Sequence, residues 1–585
     1  MRETTRPRDT RRRVFMAMAL TLVVVAAFMV RLVDIQVVQA ESLNAQSMGK
    51  REVKVVTYGT RGDIVDTNGT VLAGSVMRYD VTMSPSLVRD IKKPVITVEQ
   101  AFSEIAAITG DDAADYLAAY QAKLAADPNS QFMYLTKGVD TDQYEALKAL
   151  KISWLVLTAH PSRTYPDGAV AGNLVGFVGT DGPQAGIELM EDKCLAATDG
   201  VSSYERGLDG VRLPGSTVTT TQAQDGGTVK LTIDSDLQWF TQQTLGEQAH
   251  ALGAESASAF VIRVKDGHIM AAADYPSVDP NDVGATPATN RGSLAFSTPF
   301  EPGSTMKAIT AAALIDSGVA TPTSEVIAPY RRYLPWGGSI KDSFYHDPMK
   351  YTLTGILRDS SNVGISMLGE KLDSQTLYDY MRKFGIGEKT AVDFNGESAA
   401  PLRPADKWDK LTALTVTFGQ GVTATAAQMA SAYQALANGG VRLPLTLVEG
   451  CVHPDGTVTD APPTKGVRVV SQETAEQTVK MLEAVVTDSF HRPELEIPGY
   501  NVAAKTGTSQ VAENGVYTDD RIISTIGMAP AENPQYVVGV TFVKPKINRT
   551  SSYATPIFRK IMTQVLKTFR VPPSTVPPST YPSTW

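Results

Sequence analysis

The seventeen residues Val14–Val30 carry no charge and a single hydroxyl, Thr21, and they follow six arginines between Arg2 and Arg13. No other stretch restricts the fold as strongly. A helix that is apolar on every side needs lipid, or a large protein core, around it. The run lies at the short end for a bilayer span; Leu32-Val33 extend it, and Arg31 can snorkel to the interface. The arginine excess ahead of the run orients the N-terminus toward the cytoplasm and places everything after it outside. A cleaved signal peptide competes, because Val38-Gln39-Ala40 has the form of a cleavage site. Against it, Arg31 and Asp34 stand between the run and that site, and the run exceeds a usual signal core. The expectation is an uncleaved single-pass anchor over residues 14–33, behind a cytoplasmic Arg-rich tail of residues 1–13.

A chain of 585 residues exceeds what one core serves, so two or more domains are expected. The net charge of -8 provides no basic surface, which argues against a nucleic-acid partner. Six histidines are scattered singly with no His-Glu-x-x-His, which disfavours a metal enzyme, and no Gly-x-x-x-x-Gly-Lys-Ser/Thr loop occurs. Cys194 and Cys451 lie far apart in sequence. They read as structural or free thiols, with a disulfide between them the lesser alternative.

Residues 34–228 read as an elongated α+β support. Arg61–Ala73 forms two short strands about Asn68-Gly69, a dipeptide that accepts the positive φ of a tight hairpin. Thr97–Ala126 and Thr141–Leu150 have helical patterns. The Gly- and Pro-rich stretches Arg163–Gly168 and Tyr204–Gly215 bring no nucleophile and base together, and the acidic residues of this region are expected on solvated faces. From 229 onward, Val229–Asp234 is a strand, and Asp234 or Ser235 caps a helix with Leu237 and Phe240 on one face. Ala259–Val264 and Ile269–Ala273 flank Lys265-Asp-Gly267 as a hairpin, and Tyr500–Lys505, Ile522–Ala529 and Tyr536–Val543 alternate as strands. A last helix opens at Thr555-Pro556 with Ile557, Ile561 and Val565 in one stripe. Strands at both ends of 229–570 predict one antiparallel sheet around a helical middle, giving an α+β fold class. Residues 571–585, rich in Pro, Ser and Thr and without apolar period, are expected to be disordered.

The chemistry concentrates at Phe300–Lys307. Pro302-Gly303 break the preceding structure, and an Ala-rich helix then runs from Lys307 to a stop at Gly318. At spacing i, i+3 the Ser304 hydroxyl and the Lys307 amine share one helical face. A lysine on an apolar helix loses hydration, which lowers its pKa and suits it to act as a base toward the hydroxyl. Unpaired N–H groups at the same helix end favour a developing oxyanion. Ser-x-x-Lys alone is weak, since Ser47-Met-Gly-Lys50 repeats it in a polar segment beside the span. Downstream, Ser360 and Asn362 alternate about Ser361, so a hydroxyl and an amide point the same way from a loop between helices. Lys505-Thr506-Gly507 closes a strand: Gly507 is expected to let a ligand backbone approach, and Lys505, Thr506 and Thr508 to bind a carboxylate.

Ser-x-x-Lys, Ser-x-Asn and Lys-Thr-Gly, in that order within one domain, are similar to the penicillin-binding proteins and serine β-lactamases. Phe300–Lys307, Arg358–Gly364, Gly419–Gln428, Tyr275–Asn281 and Arg61–Ala73 narrow this to a resemblance to class B penicillin-binding proteins over residues 14–570. Thr67 stands where such proteins often carry an arginine, which bears only on a local contact. The resemblance implies a peptidoglycan D,D-transpeptidase that needs no cofactor and is acylated by β-lactams. Ser304 would be the nucleophile, Lys307 its base, Ser360 and Lys505 the path of a proton to the leaving D-Ala, and Asn362 a holder of the donor stem peptide. The N–H groups of Ser304 and Thr508 would form the oxyanion hole. Because the support shows no glycosyltransferase constellation, a SEDS-family glycosyltransferase and other divisome proteins are the implied partners. The single span and the Arg31–Gln36 exit resemble division-specific members; an elongation-specific enzyme and an inactive wall-synthesis scaffold are the alternatives. A secreted β-lactamase would need no anchor and no long support, and a β-lactam sensor would need several spans.

Overall fold

The structure, a computed structural model, describes residues 8–92, 96–207, 211–513 and 515–585. The stretch ahead of Arg8 and Leu208-Asp-Gly210 within the second Gly-rich stretch lie outside the described residues. The chain folds as two compact units, one containing the residues up to Thr60 with Ala197–Asp225, the other Arg61–Ala196 with Gly226–Trp585.

In the first unit, one helix runs from Arg8 to Val33 and continues through a π turn to Val38. Every side chain from Thr10 to Val33 is exposed, so no part of this apolar surface is covered by protein. The Thr21 hydroxyl donates to the Ala17 carbonyl at 2.9 Å, which satisfies the one polar group of the run. By length and composition the helix can cross a bilayer. Asp34, just past it, pairs with Arg31 at 2.5 Å. Strand Glu52–Thr57 pairs antiparallel with Gly200–Glu205, which pairs in turn with Val218–Thr221.

In the second unit, the hairpin about Asn68-Gly69 forms as expected, Gly69 having φ 89°. Val71–Met83 is the long strand of a mixed sheet, flanked by Met133–Val139 and Val156–Thr164. The helical region after Thr97 is two helices, Val98–Thr109 and Ala113–Ala126. Gly110 ends the first in the left-handed region, and the Asp112 side chain caps the second. Phe102 sits edge-on to Tyr116, Tyr120 and Trp154 at the centre of this small core. Strand Thr228–Leu231 departs from expectation: it joins this sheet, parallel to Ile64–Val65 and antiparallel to Val448–Val452, and does not enter the antiparallel sheet.

Two sequence readings are corrected here. Cys194 and Cys451 form a disulfide with Cα atoms 6.0 Å apart, tying two segments 257 residues apart. Gly227 lies against it, and a Cβ there would sit 2.7 Å from the Cys451 sulfur. Sequence distance concealed the pair because a short helix, Asp192–Leu195, meets the strand Val448–Val452 only through non-local packing beside Gly227, whose N–H donates to Cys194 O at 2.7 Å. Glu188, expected on a solvated face, is fully buried between two guanidinium groups, accepting from Arg61 Nε at 2.8 Å and Arg163 Nε at 2.6 Å. Arg163 also donates to the Gly62 carbonyl at 2.8 Å, so the ion cluster fixes the hairpin's entry.

The antiparallel sheet has the strand order Ile269–Tyr275, Ser256–Arg263, Tyr536–Val543, Val516–Ala529, Ala503–Glu513. Helix Ser235–Leu252, capped by the Asp234 carboxylate, and helix Thr555–Thr568 pack together over the sheet, with Ile557, Ile561 and Val565 buried. Leu237 is buried on the capped helix and Phe240 only half so. Helices Lys307–Asp316, Ala426–Ala437 and Gln472–Thr487 form the other layer; Thr425 and Gln428 make the reciprocal capping box that opens the second of them. Residues 571–585 are not loose. The Tyr500 hydroxyl donates to the Val571 carbonyl at 2.6 Å, Asn501 Nδ2 to Val576 O at 3.0 Å, and Thr584 bridges Tyr351. Their docking uses backbone groups and spaced anchors, for which composition gives no signal.

Removing Glu188 leaves Arg61 paired with Asp192 alone, at 2.5 Å, and the largely buried Arg163 facing it without a carboxylate of its own. Glu188→Ala is expected to destabilise the protein by about 3–5 kcal/mol, read as a lowered thermal midpoint, with Glu188→Gln losing less.

Candidate active site

The edge strand Ala503–Glu513 borders a cleft of about 140 Å³ lined by Ser304, Ser360, Asn362, Thr506, Thr508, Phe490 and His491. A larger cavity of about 790 Å³, lined in part by Lys480 and Glu483, contains none of the three motifs.

Ser304 lies in a 3₁₀ turn, Gly303–Met306, that feeds directly into helix Lys307–Asp316. The turn is held by close backbone approach. Gly303 N donates to Gly419 O at 3.0 Å, and a Cβ on Gly419 would fall 2.2 Å from the Gly303 carbonyl oxygen. The Tyr433 hydroxyl donates to Thr305 O at 2.9 Å from the helix beneath. Gly507 serves this same packing. A Cβ there would meet Ser524 Oγ at 2.5 Å and Thr305 Cγ2 at 3.0 Å, so its missing side chain makes room for the turn that carries Ser304. Thr506 is buried and Thr508 exposed on the cleft side.

The three motifs meet at two lysine amines, both completely buried. Lys307 Nζ lies 3.1 Å from Ser304 Oγ, 2.5 Å from the Ser360 carbonyl, 3.1 Å from Ser360 Oγ and 2.7 Å from Asn362 Oδ1. Lys505 Nζ lies 3.0 Å from Ser360 Oγ and 3.2 Å from its neighbour's carbonyl, Thr506 O. Burial holds Lys307 well below the ordinary lysine range; the charge of Lys505 adds to this and Asp342 opposes it. Burial pushes Lys505 down to about 7, opposed by Asp359. A neutral Lys307 has two N–H donors and one lone pair. The Ser360 carbonyl and Asn362 Oδ1 can only accept, so they take both donors. The lone pair is then left for a hydroxyl proton, and Ser304 is within reach.

The Ser360 segment is positioned by groups that sequence reasoning missed. Ser360 itself has φ 59°, a left-handed conformation unfavourable for a residue with a Cβ, and it ends helix Leu353–Asp359. Ser361 caps the next helix, its Oγ accepting from Gly364 N at 2.8 Å and donating to Asp342 Oδ2 at 2.7 Å. Asp342 Oδ1 accepts from the N–H groups of Asn362 at 2.5 Å and Val363 at 2.9 Å. His346 meets Asp342 Oδ2 through Nε2 at 2.9 Å and the Asp347 carbonyl through Nδ1 at 2.7 Å. Both partners accept only, which requires both ring nitrogens to carry protons. Burial opposes that charge, but Asp347 O and Asp342 outweigh it and raise His346 above the ordinary range. Asp342 and His346 fall between motifs and follow no recognisable spacing, so nothing in the sequence singled them out.

Two further groups lie near the site. Glu301 accepts from Gly421 N at 2.9 Å and from the Tyr517 hydroxyl at 3.0 Å, while its own carbonyl accepts from Ser509 Oγ at 2.7 Å, joining three segments behind the Ser304 turn. His491 is buried with Nδ1 unpartnered; burial, then the Lys505 charge, lower its pKa to about 4, so it is a neutral wall of the cleft. Among the described residues no cluster of His, Cys, Asp and Glu has the form of a metal site. Asp342→Ala would strip one buried partner from a serine, two N–H groups and an imidazolium together. A loss of about 3–5 kcal/mol is expected, measured as thermal unfolding, with Asp342→Asn intermediate.

Residues 257–563 match the penicillin-binding protein transpeptidase domain, and residues 56–231 the penicillin-binding protein dimerisation domain. The chain is 35% identical to the penicillin-binding protein PbpB of Mycolicibacterium smegmatis, the alignment covering 97% of this chain and 91% of that protein. It is 30% identical to the peptidoglycan D,D-transpeptidase FtsI of Escherichia coli, covering 94% of this chain and 91% of that protein. Among solved structures, penicillin-binding protein 3 of Mycobacterium tuberculosis complexed with aztreonam is similar with a TM-score of 0.69 and 30% identity, over 91% of this chain and 100% of that one. The chain therefore belongs to the class B penicillin-binding proteins, a family of serine-type peptidoglycan D,D-transpeptidases.

Proposed function

We propose that this chain cross-links peptidoglycan stem peptides outside the membrane during septal wall synthesis, by a serine acyl-enzyme mechanism. The observation that carries the reading is the Lys307 amine, 3.1 Å from Ser304 Oγ with its two other sides occupied by acceptors. Ser304 Oγ attacks the penultimate D-Ala carbonyl of a donor pentapeptide while its proton passes to the Lys307 lone pair. The N–H groups of Ser304 and Thr508 receive the oxyanion, where losing one donor costs roughly 10²- to 10³-fold in rate. Collapse of that intermediate breaks the peptide bond. The departing D-Ala nitrogen takes a proton through Ser360 Oγ, which stands between the two lysine amines. Asn362 holds the donor peptide, and Lys505 with Thr506 and Thr508 binds the terminal carboxylate. An amine from a second stem peptide attacks the Ser304 ester and completes the cross-link. A β-lactam follows the first half of this course and leaves the serine blocked.

The orientation rests on two features. The arginines Arg8 and Arg11–Arg13 precede the apolar run within the first helix, and the Cys194–Cys451 disulfide belongs to an oxidising compartment. We take residues 14–33 as a single-pass anchor with a cytoplasmic N-terminus, 34–228 as the non-catalytic support and 229–570 as the transpeptidase domain. Residues 571–585 belong with the latter. A SEDS-family glycosyltransferase and other divisome proteins are the partners of this reading. The septal role is supported by likeness to FtsI and by the form of the membrane exit.

Intact mass of the detergent-solubilised chain with benzylpenicillin tests the nucleophile. One adduct per chain, absent from Ser304→Ala, is expected; no adduct on folded protein would mean an inactive scaffold, and fast drug turnover a β-lactamase. Acylation should also be bell-shaped in pH. It rises as Lys307 becomes neutral, well below the ordinary lysine value, and falls as Lys505 loses its proton through about 7. Lys505→Arg, which does not titrate in this range, moves the falling limb upward; a limb left in place assigns it to another group.

A further inference from the structure

Helix Leu353–Asp359 ends on Ser360, the hydroxyl shared by both lysine amines, and the segment Ser579–Trp585 holds the start of that helix directly and its end through Asp488. At its start, Thr352 is the capping residue: its Oγ accepts from Gly355 N at 3.1 Å and donates to Pro582 O at 2.6 Å. Thr352 N donates to Ser583 O at 3.2 Å. Thr584 bridges the buried Tyr351, and Lys350 Nζ lies 4.3 Å from the centre of the Trp585 ring. Gly355 has no alternative here. A Cβ on it would fall 1.9 Å from the Ser583 carbonyl oxygen, so the first turn of the helix is shaped to receive this backbone.

At the other end, Ser583 Oγ donates to Asp488 Oδ2 at 3.3 Å, and the same carboxylate oxygen pairs with Arg358 Nη1 at 2.9 Å. Arg358 in turn forks both oxygens of Asp359, at 2.8 and 2.7 Å. Asp359 is the residue before Ser360, whose left-handed backbone stays in place only while its surroundings hold it. Ser583 thus meets the start of the helix directly through its carbonyl and reaches the last turn only through its hydroxyl's partner Asp488, which pairs with Arg358. Thr352 to Ser360 is nine residues, a span in which a small tilt moves the Ser360 hydroxyl off both amines.

We propose that residues 579–585 are a positioning clasp for Ser360, required for the rate of acylation and not only for the stability of the fold. The clasp touches neither amine and acts through helix Leu353–Asp359. This inference rests on the transpeptidase reading, since acylation is its measure.

The test compares the full chain with a chain ending at Pro578, both in detergent, for the second-order rate of acylation by benzylpenicillin. Mass spectrometry counts the fraction that reacts at completion, so that unfolded protein is not mistaken for slow protein. The shorter chain is expected to react completely but on the order of 10- to 100-fold more slowly, the scale of a misplacement of about 1 Å. A peptide of residues 571–585 added in trans should restore part of the rate. Gly355→Ala in the full chain, which excludes Ser583 from its seat, should slow acylation similarly and add little in the shorter chain. Equal rates in the full and shortened chains overturn the proposal. If the shortened chain does not fold, an unchanged rate in folded Gly355→Ala overturns it instead. A full chain that takes no adduct at all refutes the transpeptidase reading, and the clasp falls with it.

Discussion

Two primary amines removed from water within one site are the constraint around which this domain is built. Charged lysines at such depth carry desolvation costs of several kcal/mol each, and two of them beside one serine would repel as well. The site resolves this by lowering both pKa values, chiefly through burial. The consequence is a division of labour by position. A neutral Lys307 presents its lone pair to Ser304, and a protonated Lys505 presents an N–H to Ser360. Ser360 Oγ, within 3.1 Å of both, is where the two states can exchange. The three motifs are therefore one electrostatic object, whose members have little function when separated.

Keeping water away from those amines requires dense packing on every side, and glycines provide it. The Ser304 turn is pressed between Gly419 and Gly507, and both contacts leave no space for a Cβ. Beneath it, helix Lys307–Asp316 is buried from Lys307 to Leu314, so the amine emerges from an apolar helix with no path to solvent except the cleft. The Ser360 side is less apolar and is fixed by charge instead. Asp342 collects Ser361, two N–H groups and a protonated His346, while Arg358 ties Asp359 to Asp488. One wall is held by shape, the other by a chain of ion pairs.

This difference explains what could be read from the sequence. Ser304 and Lys307 sit at i, i+3 across a 3₁₀ turn that feeds a helix, close to what local periodicity placed; Lys505, expected to close a strand, lies near the start of strand Ala503–Glu513, because the buried run there does not alternate and so gave no strand boundary. The Ser360 and Asn362 pair was legible only in company with the other two motifs. Asp342 stands nineteen positions before Ser361, with a strand and a helix between them, and a lone carboxylate in a polar stretch resembles any solvated charge. Glu188 was misread for the same reason: its partners Arg61 and Arg163 lie 127 and 25 residues away. The strand Thr228–Leu231 had the right form but the wrong sheet, because alternation specifies a strand and says nothing about its neighbour.

Residues 571–585 mark the limit of compositional reasoning most clearly. Proline-rich sequence without apolar period lacks the means to build a core, and that inference was sound. It does not follow that such a segment cannot dock on a core already built. Proline pre-pays conformational entropy by fixing φ, so an extended segment loses less freedom on docking than ordinary chain does. Tyr581 and Trp585, spaced four apart, supply the side-chain anchors, and between them the carbonyls of Pro582 and Ser583 accept from Thr352. The receiving surface bears the clearest sign of the fit: Gly355 sits where any side chain would collide with Ser583 O. A helix in the middle of the chain is thus adapted to backbone more than two hundred residues later, and the reason for its glycine is visible only in three dimensions.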